Sequence, residues 1–323
     1  MKIFITGGAG YIGSHIVWLL KDKHELVVFD SLVKGHKKSL PQDVNFIRGC
    51  LSDKKLLDEI FSKNNFDAVI HLAGFIEAGE SMIKPEKYFE NNIVNGLNLL
   101  SIMKKHNVKK IVYASTAAVY GEPKSIPITE DAEKNPTNYY GLSKLIVEQM
   151  LDTFKVYGMK SICLRFFNAS GAGFEIGEHH NPETHLIPIV LQVALSQRDS
   201  IKIFGTDYDT KDGSCIRDYI HVLDIAKAHE LALEALEQGK EGKFNLGTNK
   251  GYSVKEVIEV ARKITNHEIP AIEEARRLGD PAVLVASFDK AKNILGWQPS
   301  YSLKEIVQSA WEWHSKNPRG YNG

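Results

Sequence analysis

The feature that most constrains this chain is the run Gly7-Gly8-Ala9-Gly10-Tyr11-Ile12-Gly13, set between the apolar stretch Lys2 to Thr6 and the amphipathic stretch Ser14 to Lys23. Strand, glycine turn and helix in that order make a dinucleotide-binding unit. Glycines at 7, 10 and 13 let the turn tighten, let backbone approach a pyrophosphate, and let the helix pack closely on its strand. The helix N-terminus then offers free N–H groups and a positive dipole end to the phosphates. A second apolar run, Leu26 to Phe29, ends in Asp30, about twenty positions beyond the glycines, where a carboxylate suits ribose hydroxyls and repels a 2′-phosphate. NAD is therefore expected over NADP. Lys34, His36, Lys37 and Lys38 follow closely and could hold a 2′-phosphate, but they read better as a solvated loop.

Val44 to Arg48, Ala68 to Leu72, Lys110 to Ser115 and Ser161 to Phe166 read as further buried strands, with helical periodicity between them. Such repetition predicts an α/β fold whose parallel sheet is covered on both faces. Ligands bind beyond the carboxyl ends of such strands. Those ends carry Asp30, Cys50-Leu51, Leu72-Ala73-Gly74, Ser115-Thr116 and Phe167-Asn168. Beyond Asn168 the rhythm weakens and a smaller lobe is expected. Ile216 to Ala235 reads as a strand and helix returning to the large sheet. The expected division is therefore 1–168 plus about 215–245 for the dinucleotide, and about 169–214 plus 246–323 for the substrate.

Lys plus Arg and Asp plus Glu both number 40, so no overall basic field favours nucleic acid or an anionic membrane. No apolar run approaches the ~18 residues of a membrane span, and the N-terminus lacks the pattern of a signal peptide. Cys50, Cys163 and Cys215 show no metal or disulfide spacing, which fits a reducing cytoplasm.

The chemistry is expected at Tyr140-Gly141-Leu142-Ser143-Lys144. On a helix, Tyr140 and Lys144 share a face, and a cation held beside a phenol favours the phenolate and lowers its pKa. Such a pair could take a proton from a hydroxyl while a hydride leaves the same carbon.

Together, Gly7-x-x-Gly10-x-x-Gly13, Leu72-Ala73-Gly74, Ser115-Thr116-Ala117-Ala118-Val119-Tyr120-Gly121 and Tyr140-x-x-x-Lys144 resemble the extended short-chain dehydrogenase/reductase superfamily. Within it, Leu164 to Ala172, Ile203 to Val222 and Arg276 to Ala282 are similar to the UDP-galactose (UDP-glucose) 4-epimerase family. The resemblance covers essentially the whole chain. It implies a Rossmann-type doubly wound parallel sheet with a smaller C-terminal α/β lobe, a homodimer through two long helices, one between Pro85 and Lys105 and the other containing Tyr140, and reversible inversion at carbon 4 of a UDP-hexose through a 4-keto sugar and bound NAD. It makes Tyr140 the acid/base, Lys144 its partner on the nicotinamide ribose, and Thr116 the hydroxyl that binds the reacting oxygen, with Ser115 as the alternative. To the cofactor it assigns Gly7, Gly10, Tyr11, Ile12, Gly13, Asp30, Ser31, Lys34, Cys50, Leu51, Leu72, Ala73, Gly74, Asn92, Tyr140, Lys144 and Phe167. To the substrate it assigns Thr116, Tyr140, Asn168, Leu186, Phe204, Arg217, Arg277, Asp280 and Val283.

The chain departs from that pattern at three cofactor positions: Cys50 where an aspartate is common, Ile76 where a lysine is common, and Lys34 where a small polar residue is common. Ala117-Ala118 stands where the related dehydratases carry an Asp-Glu pair, which disfavours elimination. A valine at position 283, where some members have a bulky aromatic, leaves room for an N-acetyl group. His179, His180 and His185 lie in a loop-like segment with Pro182, read as a cover for the nucleotide with no metal expected. The rival functions are a net NAD-dependent nucleotide-sugar oxidoreductase and a non-catalytic NAD-binding sensor.

Overall fold

The computed structural model describes residues 1–277 and 281–322, which places Asp280 outside the described residues. The strands are, in chain order, β1 (Lys2–Thr6), β2 (Glu25–Asp30), β3 (Asn45–Arg48), β4 (Ala68–His71), β5 (Lys110–Thr116), β6 (Lys160–Phe166), β7 (Asn168–Ser170), β8 (Ile201–Phe204), β9 (Ile216–Arg217), β10 (Tyr219–His221), β11 (Gly242–Leu246), β12 (Tyr252–Ser253), β13 (Ala271–Glu274) and β14 (Val283–Leu284). Seven of them form one parallel sheet in the order β11-β6-β5-β4-β1-β2-β3. Strand order reverses between β1 and β4, and that switch point opens the crevice in which a doubly wound sheet binds its ligand.

Alternation along each strand sends side chains to both faces, so both are apolar. On one face Ile3, Ile5, Val28 and Val112 pack with the helices Tyr11–Leu20 and Val222–Glu237 through Ile16, Leu20, Ile225 and Leu233. On the other, Phe4, Val27 and Ile111 pack with the helices Lys54–Lys63, Asn95–Lys105 and Tyr139–Phe154 through Phe61, Leu99 and Val147. Each such side chain, fully buried, contributes about 1.5–3 kcal/mol. A separate core joins the helices Leu186–Ala194, Val254–Thr265 and Leu303–Lys316 to β8 through Val190, Ile203, Ile258 and Ile306. Two of these helices start on full capping boxes, Ser253 with Glu256 and Ser302 with Glu305.

Two expectations need correction. The strands at 216–221 do not return to the large sheet: β9 pairs with β12 and β14, and β10 pairs with β7. The helix that follows does cover the large sheet, and β11 is the strand that joins it, beside β6. Short apolar runs do not carry their partners in their sequence. The helical stretch from Pro85 to Lys105 is also not one regular helix, because Phe89–Val94 is a π-helical segment between two α-helical pieces.

Under the crevice lies a buried polar network. Arg165 of β6 and Glu148 of the Tyr139–Phe154 helix form an ion pair with each side chain only 1% exposed. Nε and Nη2 donate to the two carboxylate oxygens at 2.9 and 2.5 Å. Arg165 Nη1 donates to the Tyr120 hydroxyl at 2.7 Å, and Ser115 Oγ donates to Glu148 Oε1 at 2.5 Å. Breaking one half of such a pair leaves a charge dry and unmatched, so Arg165→Met is expected to cost about 3–5 kcal/mol of stability, while Glu148→Leu with Arg165→Met recovers most of it. Urea unfolding of the single and double variants measures this, and equal losses in both would contradict it.

Candidate active site

The carboxyl ends of the large sheet and the edge of the smaller lobe enclose a cavity of about 780 Å³. One wall is the glycine turn. Gly7 has φ +72°, and a Cβ there would stand 2.6 Å from the Ala73 nitrogen, so only glycine fits between β1 and β4. A Cβ on Gly13 would run into the Gly7 carbonyl oxygen. The Tyr11–Leu20 helix begins at Gly10 without a side-chain cap, so its first N–H groups face a ligand and not a protein acceptor.

Asp30, at the end of β2, lies on the cavity and is buried. Burial pushes its carboxyl up, opposed by the Leu32 and Ala9 N–H groups that it accepts at 2.8 and 3.0 Å. A carboxylate with two N–H bonds keeps further lone pairs for ribose hydroxyls. Lys34 is no free cation: its Nζ pairs with Glu77 at 2.8 Å and reaches the Asn181 carbonyl at 3.3 Å. Its charge is thus neutralised at the place where a 2′-phosphate would need it. Gly10, Tyr11, Ile12, Ser31, Cys50, Leu51, Leu72, Ala73 and Gly74 line the same cavity, as does Ile76. This wall fits a dinucleotide without a 2′-phosphate.

The opposite wall carries Tyr140, Lys144 and Thr116. Asn138 caps the helix that bears the first two by accepting from Gly141 N–H at 2.8 Å. Thr116, the last residue of β5, turns its hydroxyl to Tyr140, to which it is hydrogen-bonded. Ser115 turns the other way, into the Glu148 network. The expected electrostatics are reversed. Burial pushes the Tyr140 phenol up to about 12, against the pull of the Thr116 hydrogen bond. Burial also draws the Lys144 ammonium down to about 8, and its Nζ donates to the Ala114 carbonyl at 2.8 Å. Lys144 shares the face of Tyr140, but one of its three N–H donors is taken by the backbone of β5.

Phe167, Asn168 and Arg217 line the cavity, with Asn168 Nδ2 donating to the Asp218 carbonyl at 2.8 Å and Arg217 Nη1 to the Ile216 carbonyl at 2.8 Å. Several expected residues stand elsewhere. Asn92 is buried, exchanging hydrogen bonds with the Phe75 backbone and donating to Ser143 Oγ at 2.9 Å, so it positions the loop and does not face the cavity. Asn91, in the π-helical segment, and Asn95, which opens the α-helix after it, line the cavity instead. Leu186 packs against the core of the smaller lobe. Phe204 and Arg277 meet each other, the guanidinium 3.9 Å from the ring centroid, off the cavity wall. Val283 does not line the cavity and its neighbour Leu284 does, because successive side chains of β14 point to opposite sides.

The segment between β7 and the Leu186–Ala194 helix flanks the glycine turn. Glu178, His180 and His185 line the cavity, and the Tyr11 hydroxyl donates to the Gly171 carbonyl at 2.6 Å. Burial would lower the His185 imidazolium, but Glu178 and Glu183 outweigh it and hold it well above its ordinary value. Glu77, Leu284 and Glu178 line the cavity and Glu183 meets His180 and His185 behind it, and sequence reasoning assigned none of them to the site. The spacing Glu178-x-His180-x-x-Glu183-x-His185 was the available signal for the last two.

The chain is 54% identical to the UDP-glucose 4-epimerase of Halalkalibacterium halodurans, an alignment that covers 100% of this chain and 98% of that protein. It is similar to the crystal structure of UDP-glucose 4-epimerase from Bifidobacterium longum in complex with NAD+ and UDP, with TM-score 0.93, 39% identity, and 99% and 100% of the two chains covered. It is similar as well to the UDP-Glc/GlcNAc 4-epimerase of Campylobacter jejuni, with TM-score 0.87, 41% identity, and 98% and 99% covered. The model of the NAD dependent epimerase/dehydratase family matches residues 3–247, and with that glycine turn, that sheet and that Tyr-Lys-Thr wall the chain belongs to this family.

Proposed function

We propose that the protein is an NAD-dependent enzyme that reversibly inverts carbon 4 of UDP-hexoses, interconverting UDP-glucose and UDP-galactose. The observation that carries this reading is the wall formed by Tyr140, Thr116 and Lys144 directly opposite a dinucleotide turn, in a cavity that also takes in Arg217 from the smaller lobe. Thr116 would hold the 4-hydroxyl, and Tyr140 would take its proton and later return it to the 4-keto oxygen, whichever face of carbon 4 the hydride comes back to. When bound, NAD supplies the acceptor that receives hydrogen from carbon 4 and gives it back. Lys144, its amine fixed on the Ala114 carbonyl, would hold the nicotinamide ribose. We assign NAD to the part of the chain built on the large sheet and the UDP moiety to the smaller lobe. There Arg217, a guanidinium fork suited to a diphosphate, supplies positive charge at the cavity wall. Ala117 and Ala118 beside Thr116 provide no acid and base for eliminating water.

The sugar end also bears on substrate range. Leu284 and not an aromatic faces it, so we extend the reading to UDP-N-acetylglucosamine. Val94 and Leu97 are 50% and 42% exposed on one face of the helical stretch that ends at Lys105, a pattern that fits burial against a second copy of the chain. Among the described residues no helix is long and apolar enough to cross a membrane. Among the described residues Cys50, Cys163 and Cys215 form no disulfide, in keeping with the reducing cytoplasm in which we place the enzyme.

Tyr140→Phe is expected to lower the interconversion of UDP-glucose and UDP-galactose by roughly 10²–10⁴-fold with circular dichroism unchanged. An undiminished rate would overturn the assignment of Tyr140. Turnover of UDP-N-acetylglucosamine is expected within about a thousandfold of UDP-glucose, a gap of about 4 kcal/mol, and Leu284→Tyr should depress the acetylated substrate more than the plain one; product analysis of the two substrates decides. Light scattering should find a dimer that Leu97→Asp dissociates, and a monomeric wild type would refute the pairing.

A further inference from the structure

Beside the glycine turn, the loop from Glu178 to His185 gathers two imidazoles and two carboxylates around one point. Their ligand atoms all lie within 4.8 Å of one another. His180 Nδ1 is 3.1 Å from Glu178 Oε1 and 3.9 Å from Glu183 Oε2, while His185 Nδ1 is 3.0 Å from Glu178 Oε1 and 2.9 Å from Glu183 Oε1. A tetrahedral ion with bonds of about 2.0–2.1 Å holds its donors about 3.3 Å apart, so the contacts at 2.9–3.1 Å stand near that spacing, while Glu183, which meets the two imidazoles with different oxygens, and the wider pairs, all within 4.8 Å, must draw in. Both carboxylate side chains are 4% exposed, a degree of burial that a carboxylate tolerates only when paired or bound to a metal. We propose that Glu178, His180, Glu183 and His185 form a site for a divalent transition-metal ion of the zinc class. Two nitrogen and two oxygen donors suit zinc or cobalt(II) and not magnesium or calcium, which prefer all-oxygen shells.

The site would work as a clasp. Its loop already leans on the dinucleotide turn, since Lys34 donates to the Asn181 carbonyl at 3.3 Å, His36 Nε2 lies 3.1 Å from the His179 carbonyl, and the His180 ring stands edge-on to Tyr11. A single ion bonded to four of its side chains would hold residues 178–185 closed over that turn and off the reacting carbon. The ion is structural, with a closed protein shell and no position reserved for substrate. This inference concerns the loop alone and stands or falls independently of the proposed activity.

The test uses the tag-free full-length protein, stripped with a chelator, dialysed, and titrated with zinc chloride or cobalt(II) chloride. The expected result is a single zinc ion per chain by elemental analysis, a tetrahedral d–d spectrum with cobalt(II), and hydrogen exchange over residues 178–185 slowed by at least about tenfold on zinc addition. His180→Gln, whose side chain is partly exposed, and His180→Gln with His185→Gln should weaken uptake by more than about tenfold while far-ultraviolet circular dichroism shows the fold intact. Equal uptake by wild type and double variant, an octahedral cobalt spectrum, or exchange indifferent to zinc would overturn the proposal and leave the cluster as a protonated histidine held between two carboxylates.

Discussion

Everything at the wall of Tyr140, Lys144 and Thr116 hangs on the pair of Glu148 and Arg165. Each buried ion costs several kcal/mol in lost hydration, and the pair is tolerable only because nearly every polar atom in it is used. Glu148 Oε1 receives both Arg165 Nε and Ser115 Oγ, Oε2 receives Nη2, and Nη1 goes on to Tyr120. Tyr120 in turn donates to Asn245 Oδ1 at 2.6 Å, which carries the network to β11. The geometric consequence is strong. Tyr140, Lys144 and Glu148 are spaced by four along one helix face, so fixing Glu148 fixes the rotation at which the other two meet the cavity. Ser115 and Thr116 are adjacent on a strand, so tying Ser115 inward turns Thr116 outward to Tyr140.

The same rigidity explains why the simple electrostatic expectation fails. Spacing by four places a lysine beside a tyrosine, but what their pKa values do is decided by desolvation, which acts against the charged form of each. The phenol rises and the ammonium falls. The protein by itself therefore stores Tyr140 as an acid, with the Thr116 hydroxyl opposing burial. That state suits a residue that must give a proton as readily as it takes one, and a dry surrounding magnifies any charge that ligands bring beside it.

The architecture was legible because its signals are local: a strand, a glycine turn and a helix at the N-terminus, then β–α repetition with apolar strands. That the glycine turn, Asp30 and the Tyr-Lys-Thr trio meet on one cavity could be read for the same reason, since each is a short motif with its own physical cause. What could not be read depends on partners distant in sequence or on a single residue of phase. β11 is a five-residue run whose place beside β6 is set by the packing of Val222–Glu237 beneath it. Asn92 was expected in the cavity, but the π-helical segment advances the register and presents Asn91 and Asn95 there. Lys34 looked like a solvated charge because Glu77, its partner, lies 43 positions on.

Phase matters most at β14. A shift of one residue along a strand moves a side chain to the other face, so Val283 and Leu284 are not interchangeable readings of one position. With Leu284 inward, Ala117, Ala118 and Leu284 give the cavity an aliphatic stretch of wall, and Arg217 and Asn168 are among its polar lining. Hydrogen bonds are directional and fix a ring in one pose, whereas apolar contact is nearly indifferent to rotation. A hexose that must present both faces of carbon 4 to one phenol is best served by that division: polar groups gripping what does not move, and aliphatic walls around what must turn.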